Sequence, residues 1–507
     1  MPKNYYITTP IYYVNDSPHI GHAYTSIACD VMARFMRMSG FKVRFLTGTD
    51  EHGQKVEIAA EQRNIDPQNF TDEVSKRFRG LTNLLNLSND DFIRTTEERH
   101  KNGAVALWNI LLEKGHIYLG KYAGWYAVRD EAFYLEKDLI DGKAPTGAPV
   151  EWVEEPSYFF ALSKFQDRLL EFYEANPDFI QPNSRRNEVI NFVKSGLFDL
   201  SVSRTSFKWG IKIPQNPEHV MYVWLDALTN YISALGYPDK TALYESFWPA
   251  DVHMVGKDIL RFHAIYWPAF LMAADLPCPK RIVAHGWLTI DGEKMSKSIG
   301  NVVDPRDLVD EFGLDQTRYF LMREIPFGLD GNFSKLAMQN RVNSELANNI
   351  GNLAQRTLAF INKNGDAKVP SVDVAALYNE SLLAGLLEKV EGYQQFMKMQ
   401  KFSHALELVI EIANNANGFI EVQAPWALRK TDLNRMAQVL YMLIESLRYI
   451  AILLLPFMPE AMDKLLDQLS VNKNERTFEY LNQAFALKPE VNLPAPQGIF
   501  PRIEINH

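Results

Sequence analysis

Two histidines near the amino terminus have the side-chain type and the spacing to bind phosphate. His19 and His22 flank Gly21 in the segment PHIGH, so on a helix they share a face and can both donate to one phosphate chain. Glycine has no Cβ, which lets a nucleotide approach the backbone closely. A helix N-terminus adds unpaired N–H groups and the positive end of the helix dipole. Two ordinary helix-capping histidines are the alternative interpretation of so short a pattern.

The flanking residues predict the elements that would position these histidines. Tyr5 to Thr9 is aromatic and β-branched, as in a strand. In the turn that follows, Asp16 or Ser17 is a candidate N-cap and Pro18 suits the first helical position. Apolar residues then recur at helical spacing from Ile20 until Gly40, and a second strand begins at Lys42. The segment therefore predicts one β-α-β unit.

A later pair of lysines has the chemistry of a mobile phosphate contact. Lys294 and Lys297 stand in KMSKS, between Gly292 and Gly300. Lysines are point charges on flexible stems, and flanking glycines let a loop close. A solvated lysine loop is the alternative. Together, PHIGH and KMSKS resemble the two signatures of class I aminoacyl-tRNA synthetases, and the joint pattern favours nucleotide chemistry.

Further segments resemble the methionyl-tRNA synthetases, and this resemblance covers nearly the whole chain. Residues 48–53, GTDEHG, place Asp50 where the family binds the ammonium group of the amino acid; a helix N-cap is the alternative role. Aromatic residues at helical spacing in two later segments are more often core than pocket, but a thioether packs well against aromatic rings. The resemblance implies a methionine-binding set of Ile11, Tyr13, Asp50, Trp224, Ala227, Leu228, Tyr231, His263 and Trp267. Some relatives have proline where Leu228 stands.

The same resemblance implies the residues that contact ATP and tRNA. Mg²⁺ and four electrostatic donors would together stabilise the charge on the phosphates during catalysis. These donors are His19, His22, Lys294 and Lys297. The ATP-binding set is His19, Gly21, His22, Gly256, Lys257, Asp258, Leu288, Lys294 and Lys297. The residues that would read a CAU anticodon are Asn352, Arg356 and Trp426, for which ordinary helix-bundle packing is the alternative.

The implied activity is that of a methionine–tRNA ligase acting in two steps. Methionine and ATP would give methionyl-adenylate and pyrophosphate, and a ribose hydroxyl of tRNA(Met) would then take the methionyl group. Synthetases for leucine, isoleucine or valine carry a large editing insertion, and a cysteine enzyme usually grips its substrate with zinc; neither feature is expected here. A paralogue that binds tRNA or nucleotide without aminoacylation is the alternative from another functional class.

Composition narrows the cofactors and partners. Net charge is -9 and the pI is about 5.8, which argues weakly against a nonspecific nucleic-acid binder. Cys29 and Cys278 stand alone in sequence, so disulfides and a thiolate zinc site are not expected. Relatives carry zinc knuckles after a GWY motif, but the corresponding insertion here has no cysteine, which predicts no structural zinc. No targeting or membrane-spanning segment is expected, and no sequence remains for a dimerisation domain, which predicts a cytoplasmic monomer.

The resemblance implies an α/β fold. A Rossmann-type, parallel-sheet catalytic domain would be split by a connective insertion and followed by an all-α anticodon-binding bundle. The predicted divisions are 1–115 and 205–290 for the catalytic domain, 116–204 for the insertion, 291–345 for the KMSKS loop and stem-contact module, and 346–507 for the bundle. Within these, Lys121 to Pro156 reads as short strands, Ser157 to Tyr173 as helix, and the chain after the N-cap Ser334 as helical to its end.

Overall fold

A computed structural model of the protein describes residues 3–14, 17–130, 132–134, 136–290, 292–295 and 300–504. The strands are β1 Asn4–Thr8, β2 Tyr12–Tyr13, β3 Lys42–Asp50, β4 Asp91–Arg94, β5 Ile117–Ala127, β6 Ala132–Tyr134, β7 Glu151–Phe160, β8 Ile180–Gln181, β9 Leu200–Ser201, β10 Ser203–Arg204, β11 Lys212–Ile213, β12 Asn216–Met221, β13 Val252–Gly256, β14 Ile282–His285, β15 Leu288–Ile290, β16 Glu293–Lys294 and β17 Gly331–Phe333.

The α-helices are α1 Ile20–Met38, α2 Gln54–Gln62, α3 Pro67–Leu84, α4 Glu98–Glu113, α5 Gln166–Ala175, α6 Asn183–Lys194, α7 Val223–Leu228, α8 Asn230–Ser233, α9 Ala242–Phe247, α10 Trp267–Ala273, α11 Pro305–Phe312, α12 Leu314–Glu324, α13 Lys335–Arg341, α14 Asn352–Asn364, α15 Val374–Leu377, α16 Ser381–Ala384, α17 Leu386–Lys398, α18 Phe402–Gln423, α19 Pro425–Thr431, α20 Leu433–Leu454 and α21 Pro459–Gln468. Two stretches, Phe262–Tyr266 and Val342–Gly351, are π-helical.

The chain forms two units. The first, here the sheet unit, comprises Asn4–Pro18 and Val43–His285. Its main sheet has the order β2-β3-β1-β13-β14-β8, with β4 beside β3. The pairs β2–β3, β3–β4, β1–β13, β13–β14 and β14–β8 are parallel. The expected Rossmann-type parallel sheet is therefore confirmed, and the carboxyl ends of its strands, where such sheets bind ligands, carry Asp50 and Gly256.

The connective insertion is built on one long antiparallel pair, not on short strands. β5 and β7 are in register from Ile117 with Phe160 to Tyr126 with Glu151. The predicted helix from Ser157 to Tyr173 is wrong over its first half, because Ser157 to Phe160 complete β7 and α5 begins only at Gln166. Tyr158 and Phe160 are buried two residues apart, which is the period of a strand.

The second unit, here the helical unit, comprises the described parts of Met1–Lys3, His19–Lys42 and Gly286–His507. In this unit, α1 begins at Ile20, and the N-cap of the helix is His19. The prediction of Ser17 as N-cap and Pro18 as the first helical residue is therefore wrong, and Asp16 lies outside the described residues. The imidazole of His19 accepts a hydrogen bond from a backbone N–H of the first turn, which removes the need for a hydroxyl or carboxylate cap.

A buried ion pair ties α1 to later helices of the helical unit. Arg318 of α12 donates to Asp30 of α1 at 2.6 Å and to the carbonyl oxygens of Pro456 and Phe457 at 3.0 and 2.8 Å. Both charged side chains are fully buried. The guanidinium therefore joins the helix that His19 caps to the turn between α20 and α21.

The helix start predicted at Ser334 is confirmed. Ser334 is the N-cap of α13, and its hydroxyl accepts from the N–H of Ala337 at 3.1 Å. The prediction of helix to the chain end holds only to Gln468, after which the described residues form short 3-10 turns. α20 is long and apolar enough to cross a membrane, but 89% of its most apolar stretch is buried, as in the core helix of a bundle. The five-domain division stays a prediction.

Candidate active site

The two histidines of PHIGH cap the helix that they open. The backbone N–H of Gly21 donates to Nδ1 of His19, and the N–H of His19 donates to Nδ1 of His22, both at 3.1 Å. A ring nitrogen that accepts a hydrogen bond carries no proton, so both neutral imidazoles carry theirs on Nε2. Burial and the neighbouring His19 lower the pKa of His22 well below 6.5. His22 is therefore a neutral Nε2–H donor at physiological pH.

Gly21 fits the close packing at this helix terminus. A Cβ at residue 21 would lie 2.9 Å from Cε1 and 3.0 Å from Nδ1 of the His19 ring, closer than side-chain atoms normally approach. Any side chain here would displace the His19 imidazole. The capping interpretation and the phosphate interpretation of the two histidines are thus compatible, because the cap uses Nδ1 and presents Nε2 as donor.

A buried tyrosine–histidine pair forms the centre of the predicted methionine-binding set. Nδ1 of His263 lies 3.0 Å from the carbonyl oxygen of Ile259, so it donates there, and Nε2 accepts from the hydroxyl of Tyr231 at 2.7 Å. Burial lowers the pKa of His263 to about 4. Behind it, the Tyr231 ring stacks on His253 with centroids 4.0 Å apart. The pair is neutral and locked in one tautomer.

The neutral state of His263 predicts a pH-dependent stability. Well above pH 6.5 the imidazole is neutral in both the folded and the unfolded chain, so the free energy of unfolding does not depend on its titration there. As the pH falls from 6.5 toward 4, the unfolded chain binds a proton that the folded chain excludes. The free energy of unfolding should therefore fall, by about 2 kcal/mol at about pH 5. Thermal unfolding of wild type and His263→Gln at about pH 7 and pH 5 checks this, and an equal loss in both proteins contradicts it.

The spacing argument for the aromatic residues is only partly right. Trp224 lies on α7 and Tyr231 on α8, with a break at Thr229. His263 and Trp267 are separated by a π-helical turn, so the four-residue spacing does not align them on an α-helical face. The tertiary fold nevertheless gathers them: ring centroids of Tyr231 lie 5.7 Å from His263 and 6.0 Å from Trp267, and Trp224 lies 6.3 Å from His263.

The aromatic residues of the predicted methionine-binding set are also part of the hydrophobic core, as the alternative interpretation predicts. Tyr231, Trp267 and Leu228 belong to the main apolar cluster of the sheet unit, and Ile11 and Trp224 pack against it half-buried. Ala227 is buried in α7 as well. The indole of Trp224 stacks face to face on Phe262, with centroids 3.6 Å apart. These contacts fix the rings rigidly, which a selective pocket requires.

Asp50 is the last residue of β3, not a helix N-cap. α2 begins at Gln54, and its N-cap is Gly53. Asp50 is 6% exposed, pairs with Tyr13 of β2 in parallel register, and accepts the Val14 N–H on its carbonyl oxygen at 3.1 Å. Its position at the carboxyl end of a parallel strand suits ligand contact.

The predicted ribose segment follows the next strand end. Gly256 ends β13, and Lys257 and Asp258 open a 3-10 turn directly after it. A Cβ at residue 256 would lie 2.5 Å from Oδ1 of Asp258. Glycine therefore lets the Asp258 carboxylate lie against the end of the strand.

The cationic loop is described only in part. Leu288 is buried in β15, and the backbone of Lys294 in β16 pairs with Thr289 of β15. The side chain of Lys294 and all of Lys297 lie outside the described residues. Gly292 and Gly300, at the two ends of the loop, have φ of +85° and +74°, conformations that favour glycine.

The structure brings two of the three predicted anticodon residues into contact. Arg356 of α14 lies 5.3 Å from the ring centroid of Trp426 on α19, and it donates to Glu421 at 2.5 Å. Trp426 is 42% exposed, so its ring is held by a cation yet open to solvent. Asn352 is exposed one helical turn before Arg356 on α14.

Comparison with known proteins settles the family. A family model for class I tRNA synthetases (M) matches residues 5–150 and 135–358, and one for the anticodon-binding domain of methionyl-tRNA ligase matches residues 369–507. The chain belongs to the methionyl-tRNA synthetase family. It is 62% identical to the methionine–tRNA ligase of Rickettsia felis, over 99% of each chain, and 54% identical to that of Rhizobium meliloti, over 98% of each.

A solved methionyl-tRNA synthetase also superposes on the protein. The Mycobacterium tuberculosis enzyme in complex with methionyl-adenylate gives a TM-score of 0.94 at 49% identity, covering 99% of this chain and 100% of that one. The fold class implied by the resemblance, a Rossmann-type catalytic domain with a helical anticodon-binding domain, is therefore confirmed.

Sequence reasoning missed residues that support the candidate pocket. Asp226 and His100 are fully buried and in contact, and His253 lies under Tyr231. A signal existed for Asp226, since it stands in the apolar run YVWLDAL, where a charge requires buried partners. Its partners are far away in sequence and gave no signal. Within the described residues, no group of three or more His, Cys, Asp or Glu side chains is arranged to hold a metal ion.

Proposed function

We propose that the protein activates L-methionine with ATP and transfers it to tRNA(Met), using the residues that match the methionyl-tRNA synthetase family. The observation that carries the proposal is the full-length similarity to a methionyl-tRNA synthetase that binds methionyl-adenylate, together with the neutral, locked donors at α1 and the aromatic site around Tyr231. The methionine carboxylate attacks the α-phosphate of ATP, pyrophosphate leaves, and a tRNA ribose hydroxyl then displaces AMP.

The chain needs no nucleophile for either step, so catalysis comes from orientation and charge stabilisation. His19 and His22 donate their Nε2 protons to phosphate oxygens at the N-terminus of α1, where the helix dipole adds to the field. Lys294 and Lys297 add positive charge, and Mg²⁺ enters with ATP as part of the substrate. Gly256, Lys257 and Asp258 hold the ribose. Leu288 and Gly21 complete the ATP site.

Selection of methionine rests on two chemical features of the sheet unit. Asp50 pairs with the ammonium group. The thioether side chain lies against Trp224, Tyr231, His263 and Trp267, since sulfur packs favourably on aromatic rings. The residues Ile11, Tyr13, Ala227 and Leu228 complete the walls of this site.

ATP–pyrophosphate exchange, with each amino acid supplied singly, tests the activation step. Exchange with methionine alone is the expected result. Exchange with another amino acid would overturn the methionine assignment but keep the reaction class. A folded sample that gives no exchange with Mg²⁺ and ATP, yet binds tRNA, would support the inactive paralogue instead.

Replacing Trp426 with alanine tests tRNA recognition separately. Base–aromatic stacking contributes about 1–3 kcal/mol, so kcat/KM for tRNA in aminoacylation should fall about 5- to 150-fold. Pyrophosphate exchange should not change, because it does not involve tRNA. Trp426→Phe should keep most of the activity, and Phe485→Ala, an aromatic residue with similar exposure at 44%, is the matched control. Unchanged charging by Trp426→Ala would contradict the role in reading CAU.

Four further proposals complete this assignment. The protein works in the cytoplasm, it is a monomer, it holds no structural zinc, and it uses Mg²⁺ only together with ATP. The sequence supports the absence of structural zinc, because residues 116–204 contain no cysteine that could supply a thiolate ligand. Metal analysis of the purified protein measures its zinc content, and sedimentation measures its oligomeric state.

A further inference from the structure

We propose that Asp226, held between His52 and His100, is a positioning residue that sets the affinity for methionine by fixing the segment after Asp50 to the helices that carry the aromatic site. This inference rests on the proposed function. All of the residues involved lie in the sheet unit, and none of the three has a role in the reaction described above.

The three side chains form one continuous hydrogen-bonded chain. Nδ1 of His52 lies 2.7 Å from Oδ2 of Asp226, and Nε2 of His100 lies 2.7 Å from its Oδ1. Nδ1 of His100 lies 3.0 Å from the hydroxyl of Ser233. A carboxylate only accepts, so both histidines must donate to Asp226.

The environment makes this network costly to break. Asp226 and His100 are fully buried and His52 is 4% exposed. Burial would raise the pKa of Asp226, but the two histidines outweigh it and lower the pKa to about 2. Asp226 thus stays ionised, and its charge depends on two donors. A buried carboxylate that loses one donor must shift toward another polar group.

One end of the network reaches the segment that carries Asp50. His52 is two residues beyond Asp50 and packs edge-on against Trp209, with ring centroids 5.5 Å apart. Nε1 of Trp209 donates to the carbonyl oxygen of Glu51 at 2.6 Å, and the N–H of Gly53 donates to the carbonyl oxygen of Trp209 at 3.0 Å. The turn after β3 is therefore clamped on both sides of His52.

The other end reaches the aromatic site. Asp226 lies on α7 between Trp224 and Leu228, and Ser233 ends α8, which carries Tyr231. α4, which carries His100, approaches α8 closely, since a Cβ at Gly103 would lie 2.8 Å from Cβ of Ser233. The carboxylate of Asp226 is thus the direct link between the ammonium-binding strand end and the side-chain site.

This link predicts which kinetic constant changes. Moving Asp50 relative to the aromatic site weakens recognition of the ammonium group and the thioether at once, so KM for methionine should rise. The hydrogen bonds of Asp226 go to His52 and His100, which are not in the proposed ATP-binding set. KM for ATP and kcat at saturating methionine should therefore change little. A general loss of folding would instead lower the amount of active enzyme at every substrate concentration.

Crossed amide substitutions test the inference. Asparagine reproduces the Nδ1 donor and glutamine the Nε2 donor of histidine, so His52→Asn and His100→Gln should stay within about threefold of wild type in methionine KM. His52→Gln and His100→Asn keep polarity but misplace the donor, and should raise methionine KM about tenfold or more. His219→Leu, a buried histidine outside the network whose Nδ1 lies 2.9 Å from the Ser203 hydroxyl, is the control for a purely structural loss.

The outcomes separate this inference from the proposed function. If wild type shows no methionine-dependent exchange, the proposed function fails. If wild type is active but the matched and mismatched amides behave alike, or His219→Leu raises methionine KM equally, the positioning role is wrong. The rise in Tm that methionine produces gives the same ranking without turnover, and it serves for any variant too inactive for kinetics.

Discussion

Replacing His22 with asparagine is expected to lower the rate of adenylate formation about 100- to 1,000-fold, the usual cost of removing one preorganised donor from a developing charge. The asparagine Oδ1 takes the place of Nδ1 and accepts the His19 N–H, which His22 accepts at 3.1 Å. The helix cap is therefore kept while the Nε2 donor is lost. Single-turnover formation of methionyl-adenylate measures the effect.

The matched variant is His22→Gln, which keeps a donor near the Nε2 position. It should lose about tenfold or less, and both variants should retain the wild-type KM for methionine. Because the pKa of His22 lies well below 6.5, its protonation state does not change between about pH 6.5 and 8, and the ratio between wild type and His22→Asn should stay constant there. A rate of adenylate formation close to wild type in His22→Asn, which keeps the cap, would mean that His22 acts only as a cap.

Replacing Asp50 with asparagine should raise the KM for methionine about 100-fold or more. Asp50 is 6% exposed, and removing one partner of a desolvated ion pair costs about 3–5 kcal/mol, because the other charge is left without compensation. The KM for ATP should change much less, because the proposed partner of Asp50 is the ammonium group of methionine and not a phosphate of ATP. Pyrophosphate exchange at varied methionine and ATP measures both constants.

A methionine analogue that lacks the amino group isolates the ion pair. Wild type should bind this analogue far more weakly than methionine, and Asp50→Asn should bind the two nearly equally. Asp275→Asn, which changes an exposed aspartate paired with Lys114, is the control and should keep the wild-type preference. If Asp50→Asn still prefers methionine by the wild-type ratio, Asp50 does not hold the ammonium group.

Local patterns in the sequence predicted the elements with strong periodicity or clear punctuation. The strand before PHIGH, the helix that begins at Ile20 and ends before Gly40, and the N-cap at Ser334 are all present. These features depend on residues within a few positions of each other, so propensity and capping suffice. The predicted helix over Ser157 to Tyr173 failed because pairing with β5 outweighed the local preference.

The sequence by itself determined the family and the fold class, because these are carried by motifs whose letters stand close together, whereas its set of site residues stays a prediction. Only the tertiary structure decided which atoms act. The proton of His22 is on Nε2 because backbone N–H groups occupy the Nδ1 positions of both histidines. His263 is neutral because burial lowers its pKa to about 4, although the hydrogen bond from its Nδ1 to the Ile259 carbonyl opposes that shift. Asp226 meets His52 and His100 across 174 and 126 residues of chain. The bonds at His22 and His263 join residues two to four positions apart and become visible only with the coordinates. The contacts of Asp226 arise from packing between distant segments, and no local pattern encodes them.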